Sequence, residues 1–360
     1  MLSIPLNLFL LIIFFIARNN ALIITNKVPK TIAVAGASGR LGRQVVEQLL
    51  SATNSTCIVK ACVRDVEKGK EILSDLPSKL GVPPSRLEII RSNFRKESDI
   101  KDLCKDIDTM VWCATGFTDQ SSTVDKLVGL LRLKFAPQST IDIQAVSTIG
   151  EILKLKGPLP KRSPRIIMCS SAGVTRPSWS KEKKDRYVGA SDIPIVRLNP
   201  FNILDVKAEG EEALRQTGVD YCILRPTGLA DQWPNGRPIL SQGDVAVGRI
   251  CRQDVAKLLV SLVDEPNCNG KTIEALSAPS LPYPRSFDDQ LKRLVYDKDC
   301  KNGLPQALLD ANYALLQQLL PGETLKANEL AAGQKYEEFD NDEEGFLGKR
   351  GEENMPIATS

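Results

Sequence analysis

The 360-residue chain contains no histidine. That absence excludes Ser-His-Asp triads, Cys-His pairs and imidazole-ligated metal sites built from this chain alone. Acid–base chemistry must come from Tyr, Lys, Ser, Asp, Glu or Cys, or from a bound cofactor. Neither sign of charge dominates. Its 47 basic and 44 acidic residues leave a net charge of +3, which gives no case for a nucleic-acid partner. The nine cysteines lack the paired spacing of zinc fingers or ferredoxins, so no metal site is expected. Cys57, Cys62, Cys113, Cys169 and Cys222 fall in apolar runs that read as strands, where a free thiol packs as a small hydrophobe. A disulfide framework does not suit this length and spacing, and a reducing compartment is expected.

The N-terminus also lacks acid. No Asp or Glu precedes Glu47, while Arg18, Lys27 and Lys30 are present, as in transit peptides. Leu8–Ala17 is an apolar run with the length of a signal-peptide core, and cleavage would fall near Ala21. As a helix it would rise about 15 Å, roughly half a hydrocarbon core. Residues 1–29 are therefore read as a signal or targeting segment. Secretory-type entry conflicts with reduced thiols and with the cofactor argued below. The conflict is resolved if the chain enters a plastid through a signal-peptide-like presequence; the alternative destination is the secretory pathway or endoplasmic reticulum.

What is present is a globular composition, 42% hydrophobic and 25% charged, which excludes disorder throughout and a fibrous repeat. Thr31–Ala35 reads as a buried strand that runs straight into Gly36-Ala37-Ser38-Gly39-Arg40-Leu41-Gly42. A helical pattern with Leu41, Val45 and Leu49 on one face follows. Strand, glycine turn and helix together form a dinucleotide site: glycine lets the backbone approach a pyrophosphate, and the helix N-terminus offers free N–H groups. The second strand, Cys57–Val63, ends in Arg64-Asp65. An acid there would take the ribose 2′-hydroxyl of NAD(H), whereas Arg64, with Lys68 and Arg40 converging on a 2′-phosphate, favours NADP(H). Further strands are expected at Leu87–Arg91 with Asn93 beyond it, at Thr109–Ala114 before Thr115-Gly116, at Arg165–Cys169 before Ser170-Ser171, and at Asp220–Leu224 before Pro226 and Gly228. In a doubly wound parallel sheet these carboxyl ends form one ligand-binding rim. Trp112, at the end of the fourth strand, is expected to report on the site.

The motifs GASGRLG at 36–42, VRD at 63–65, CATG at 113–116, SSAG at 170–173, RPTGL at 225–229 and RQDVAKLLV at 252–260, with Lys207 and Glu212 between them, resemble the atypical short-chain dehydrogenases/reductases, specifically their NAD(P)H-binding, NmrA-like branch. The resemblance covers roughly Lys30 to Leu276 and implies an α/β Rossmann-type doubly wound parallel sheet. It further implies a substrate pocket built mainly from the loops 174–204 and 228–252. It places the cofactor on Gly36, Ser38, Gly39, Arg40, Leu41, Gly42, Arg64, Asn93, Ala114, Thr115, Gly116, Ser170, Lys207 and Pro226, with Ser170, Ser171 and Lys207 as catalytic candidates. The family's Tyr-x-x-x-Lys pattern is broken, because Ile203 stands four residues before Lys207 and no tyrosine has lysine at the fourth position on. Tyr221 reads as core, and Tyr187 is the one tyrosine that a loop could swing in.

The resemblance implies an NADPH-dependent reductase of a small conjugated substrate that takes its proton from solvent or from itself. The alternative is a non-catalytic dinucleotide sensor or an assembly factor for a plastid membrane complex. After a 30–276 Rossmann domain, Pro279–Pro284 reads as a linker, and residues 285–333 as a helical extension with helices at Phe287–Tyr296 and Leu304–Leu320. Its apolar face packs on the domain or docks a protein partner or membrane. Residues 334–360 read as an acidic disordered tail.

Overall fold

The computed structural model describes residues 30–52, 57–116, 140–191, 193–279, 281–300 and 303–318. The targeting segment expected at 1–29, the acidic tail at 334–360 and residues 319–333 of the helical extension lie outside the described residues.

Within these bounds β1 (Thr31–Ala35), β2 (Ile58–Val63), β3 (Leu87–Arg91), β4 (Thr109–Trp112), β5 (Ile166–Cys169) and β6 (Tyr221–Pro226) stand close to where the apolar runs put them. The eight-stranded sheet has the order β3-β2-β1-β4-β5-β6-β10-β8, in which β10 (Lys271–Ala278) pairs parallel with β6, and β8 (Arg237–Ser241) closes the edge antiparallel. A two-stranded parallel pair, β7 (Gly228–Leu229) with β9 (Arg249–Ile250), lies beside the rim. The order reverses between β1 and β4, and at such a switch point a crevice opens at the strands' carboxyl ends.

Helices cover both faces because these strands are apolar on both. On one face α1 (Arg40–Ser51) packs beside the helix Arg252–Leu262 through Val45, Leu49, Val255 and Leu259. On the other, Glu97–Lys105 and Val146–Leu155 cover Met110, Trp112, Ile166 and Met168. Each fully buried aliphatic side chain here contributes about 1.5–3 kcal/mol.

The first C-terminal helix is shorter than the periodicity suggests, and the second begins two residues later than expected. The first is Asp288–Arg293, ending before the extended Leu294, and it puts Phe287 and Leu291 into the main core. The second, Gln306–Gln318, buries Leu309 and Leu316 against Val245, Val247 and Leu276, while Leu315 faces solvent.

Candidate dinucleotide and substrate site

The chain turns as soon as β1 ends. Gly36 sits at φ +76°, and a Cβ there would stand 2.9 Å from the Ala114 backbone. Gly42, in the first turn of α1, approaches so closely that its Cβ would lie 2.1 Å from the Gly36 carbonyl oxygen. Gly39 is the N-cap residue; no side chain caps this helix end, and no acid occupies its first turn. A Cβ on Gly39 would meet only the Gly36 oxygen, at 3.2 Å. The Gly39 N–H donates to the Gly36 carbonyl at 2.9 Å, and the amides of Ser38, Arg40 and Leu41 stand at the positive end of the helix, a cradle that fits a pyrophosphate.

At the end of β2, Arg64 and Asp65 are exposed. The Asp65 carboxylate caps the next helix, Val66–Leu73, its Oδ1 accepting from the N–H groups of Glu67 at 3.0 Å and Lys68 at 3.2 Å. Of the three cations expected at one phosphate, Arg64 and Lys68 stand at this strand end. Arg40 meets Asp231 at 3.5 Å, and Asp231 also pairs with Arg252 at 2.5 Å. Asn93 follows β3, where its Oδ1 accepts from the Arg95 N–H at 3.1 Å.

Beyond β4, Ala114 borders the glycine turn and the Gly116 N–H donates to Asp142 Oδ2 at 2.8 Å. Asp142 lies in a π-turn, Ile141–Ala145, and is fully buried. Its second oxygen, Oδ1, and the neighbouring Thr115 hydroxyl are buried without a partner. Burial pushes the Asp142 carboxyl above its ordinary range, while the Lys207 ammonium and the Gly116 N–H pull it back. The helix Ile203–Thr217 presses on this turn at Gly210, whose Cβ would lie 2.3 Å from the Asp142 carbonyl oxygen. Lys207 is one turn earlier on the same helix face. It also acts on the Cys113 and Cys169 thiols: burial pushes both up, Cys169 to about 11, and Lys207 opposes it. Lys207 thus stands over the carboxyl ends of β4 and β5. The buried Ser170, the half-buried Ser171 and Pro226 complete that rim at the ends of β5 and β6.

The family's tyrosine has no substitute among the described tyrosines near this rim. Ile203 opens its helix as the sequence requires. Tyr187 is 1% exposed; its hydroxyl donates to Asp310 Oδ1 at 2.9 Å and accepts from Gln306 Nε2 at 2.6 Å, and its ring packs edge-on against Trp179 and Tyr313. It is an anchor for the helix Gln306–Gln318, not a side chain on a swinging loop. Tyr221 donates to Asp297 at 2.8 Å. Trp112 also departs from expectation: its indole lies on the sheet face opposite α1, packed on Phe94 and 1% exposed, which makes it a sheltered reporter.

The pattern reading missed a set of buried charges behind the rim. Glu211, rather than Glu212, points inward; it receives Arg225 at 2.9 and 2.6 Å and Arg215 at 2.9 Å. Burial works to raise its carboxyl, yet the Arg225 guanidinium holds it below the usual range. Asp244 accepts from the N–H groups of Gly173 at 2.6 Å and Thr175 at 2.8 Å, and from the Thr175 hydroxyl at 2.7 Å. Arg176, fully buried, donates to the carbonyls of Asp244, Ala190 and Ala246. Glu274 accepts from the Asp244 and Ala246 N–H groups. These groups hold the Ser170–Arg176 loop in place. The available signal was a charge inside each of two apolar strand runs, Arg225 in β6 and Glu274 in β10.

Comparison with known proteins is consistent with this geometry. A family model described as NAD(P)H-binding matches residues 36–266. The chain is similar to the uncharacterized chloroplastic protein At2g34460 of Arabidopsis thaliana, 28% identical over 263 residues that cover 72% of this chain and 81% of the relative. It is also similar to the chloroplastic Protein TIC 62 of Pisum sativum, 24% identical over 264 residues, where the match spans 69% of this chain and 43% of the relative. Among solved structures, a Bacillus halodurans protein classed with NAD-dependent epimerases/dehydratases superposes with a TM-score of 0.50 at 22% identity, covering 74% of this chain and 100% of its own. At that identity the likeness establishes the fold alone.

Proposed function

Because the chain belongs to the NAD(P)H-binding family of atypical short-chain dehydrogenases/reductases, we propose that it is a plastid NADP(H)-dependent reductase of a small conjugated substrate. The observation that carries this reading is the pairing of an intact glycine cradle with Lys207 across one rim. Preference for NADP(H) over NAD(H) rests on Asp65: its carboxylate is engaged in capping a helix, so the end of β2 presents Arg64 to a 2′-phosphate. The plastid assignment rests on the chloroplastic relatives together with the acid-free N-terminus.

The residues present fit the dinucleotide, since the helix N-terminus behind the glycine turn has neither a side-chain cap nor an acid in its first turn, and two buried polar atoms beside the turn, Asp142 Oδ1 and the Thr115 hydroxyl, lack partners. When bound, the dinucleotide supplies a hydride. Lys207 would hold the ribose hydroxyls, and Ser170 or Ser171 would donate to a substrate carbonyl. With no tyrosine acid at the rim among the described residues, the proton would come from solvent or from the substrate, which suits a conjugated acceptor such as a flavin or an extended pyrrole. The tethered Tyr187 favours a second reading, a dinucleotide-binding sensor or assembly factor without turnover. NADPH oxidation by the full chain with flavin and quinone acceptors separates the two. Turnover that falls on Lys207→Ala supports the reductase; NADPH binding without turnover supports the sensor.

A further inference from the structure

Two helices far apart in the chain begin at the same rim, and each begins with arginine. Arg40 is the first residue of α1, and Arg252 is the first residue of the helix Arg252–Leu262. The two helices pack side by side in the main core. Each feeds a strand that runs parallel to the rest of the sheet, so both point their N-termini at the strands' carboxyl ends. Positive helix ends and two guanidiniums therefore share one side of the rim.

A carboxylate from a third segment bridges the two arginines. Asp231 Oδ1 meets Arg252 at 2.5 Å, and its Oδ2 meets Arg40 at 3.5 Å. The pairing of β7 with β9 sets it there: the Ala230 N–H donates to the Ile250 carbonyl at 3.2 Å, and Asp231 and Arg252 follow just beyond. The acid in the first turn of the second helix, Asp254, is fully buried, and its Oδ2 accepts from the Gly236 N–H at 2.8 Å. The first turn of α1 has no acid.

The bridge is uneven. The Arg40 side chain is 77% exposed and that of Asp231 47%, and an exposed pair at 3.5 Å holds weakly and exchanges readily. The Arg252 side chain, 13% exposed, is the fixed end. Arg40 is also drawn away from Arg64. In the sheet β2 and β6 lie on opposite sides of β1, and Asp231 comes from the β6 side. An anion between Arg40 and Arg252 thus corresponds to the pyrophosphate over the turn after β1, not to a 2′-phosphate at the end of β2.

We propose that Arg40 and Arg252 form a two-arginine site for pyrophosphate, and that Asp231 is its built-in competitor, which the incoming anion displaces. Carboxylate and phosphate oxygens meet a guanidinium with the same geometry, so the arginines exchange one anion for the other. Taking this anion as part of the dinucleotide rests on the dinucleotide-binding reading above.

Calorimetric titration of the full-length protein with NADPH, NADH and inorganic pyrophosphate tests the site without turnover. Asp231→Asn binds all three about tenfold tighter, and Arg40→Gln binds all three about tenfold more weakly. Both side chains are well exposed, and an unchanged urea midpoint checks that the variants fold. Arg252→Gln is made in the Asp231→Asn background, so that no carboxylate is left stranded, and there it weakens all three ligands again. Affinities unchanged or lowered by Asp231→Asn would overturn the proposal, since the carboxylate would then only clasp two segments together. So would an Arg40→Gln variant that loses affinity for NADPH alone, because that moves Arg40 to the 2′-phosphate. If neither nucleotide binds while pyrophosphate shows the same dependence on all three residues, the dinucleotide reading falls and the anion site stands.

Discussion

The cofactor half of this molecule and its catalytic half are made recognisable by different physics. From β1 to Gly116 the site is largely backbone: a positive-φ glycine, a helix start without a cap and a close approach that only glycine permits at position 42. The catalytic half is held by side chains that meet across long stretches of chain, such as Gly173 with Asp244 and Glu211 with Arg225. A backbone site leaves a local sequence pattern. A site assembled by buried ion pairs leaves isolated charges whose partners cannot be read from spacing.

Arg225→Met is the strongest test of that contrast. It leaves the fully buried Glu211 carboxylate with Arg215 as its remaining guanidinium partner, and breaking a buried pair costs up to about 3–5 kcal/mol. Urea unfolding should show that loss, while isolated changes in the cofactor half such as Arg64→Ala leave the midpoint unchanged. Folding holds the Glu211 carboxyl below its unfolded value of 4.5, so its stabilisation is present above that value and is lost as pH falls through the lower folded value. The variant should lose that acid-side slope.

Arg64→Ala acts on binding instead. Removing a charge-assisted contact to a 2′-phosphate should weaken NADPH by about tenfold or more and leave NADH unchanged, by calorimetric titration. Equal effects on both nucleotides would move the specificity away from β2.

Tyr187→Phe sharpens the comparison from the far side. It deletes hydrogen bonds to Asp310 and Gln306 that fasten the last helix, at a cost of about 0.5–1.5 kcal/mol in unfolding free energy. NADPH oxidation should be unaffected; a large loss of turnover would restore Tyr187 as an acid.

Asp142→Asn should produce the smallest change, one of slope. The amide can still accept from the Gly116 N–H. Folding raises the Asp142 carboxyl above its ordinary 3.8, so its contribution is fully present below that value and is lost as pH rises through the folded value. The variant's stability should be flatter across that range.

The sequence reading reached the positions of β1 to β6 and the glycine turn because apolar runs and glycine spacing are local, whereas Lys207 came from the family resemblance. That reading did not mark Glu211, which lies four residues after Lys207 on the inward helix face and is fully buried. It left Tyr187 mobile because the residue that fixes it, Asp310, is 123 positions away. Asp142 went unmarked because its neighbours come from two distant segments, at Gly116 and on the helix carrying Lys207 and Gly210.

The account turns on whether the cradle and Arg64 hold a phosphorylated dinucleotide. Isothermal titration of the full chain with NADPH and NADH tests this without relying on the sheltered Trp112. The account predicts stoichiometric binding of NADPH, tighter than NADH, with the difference erased by Arg64→Ala. Binding of neither nucleotide, or of both equally in the unaltered protein, would contradict it.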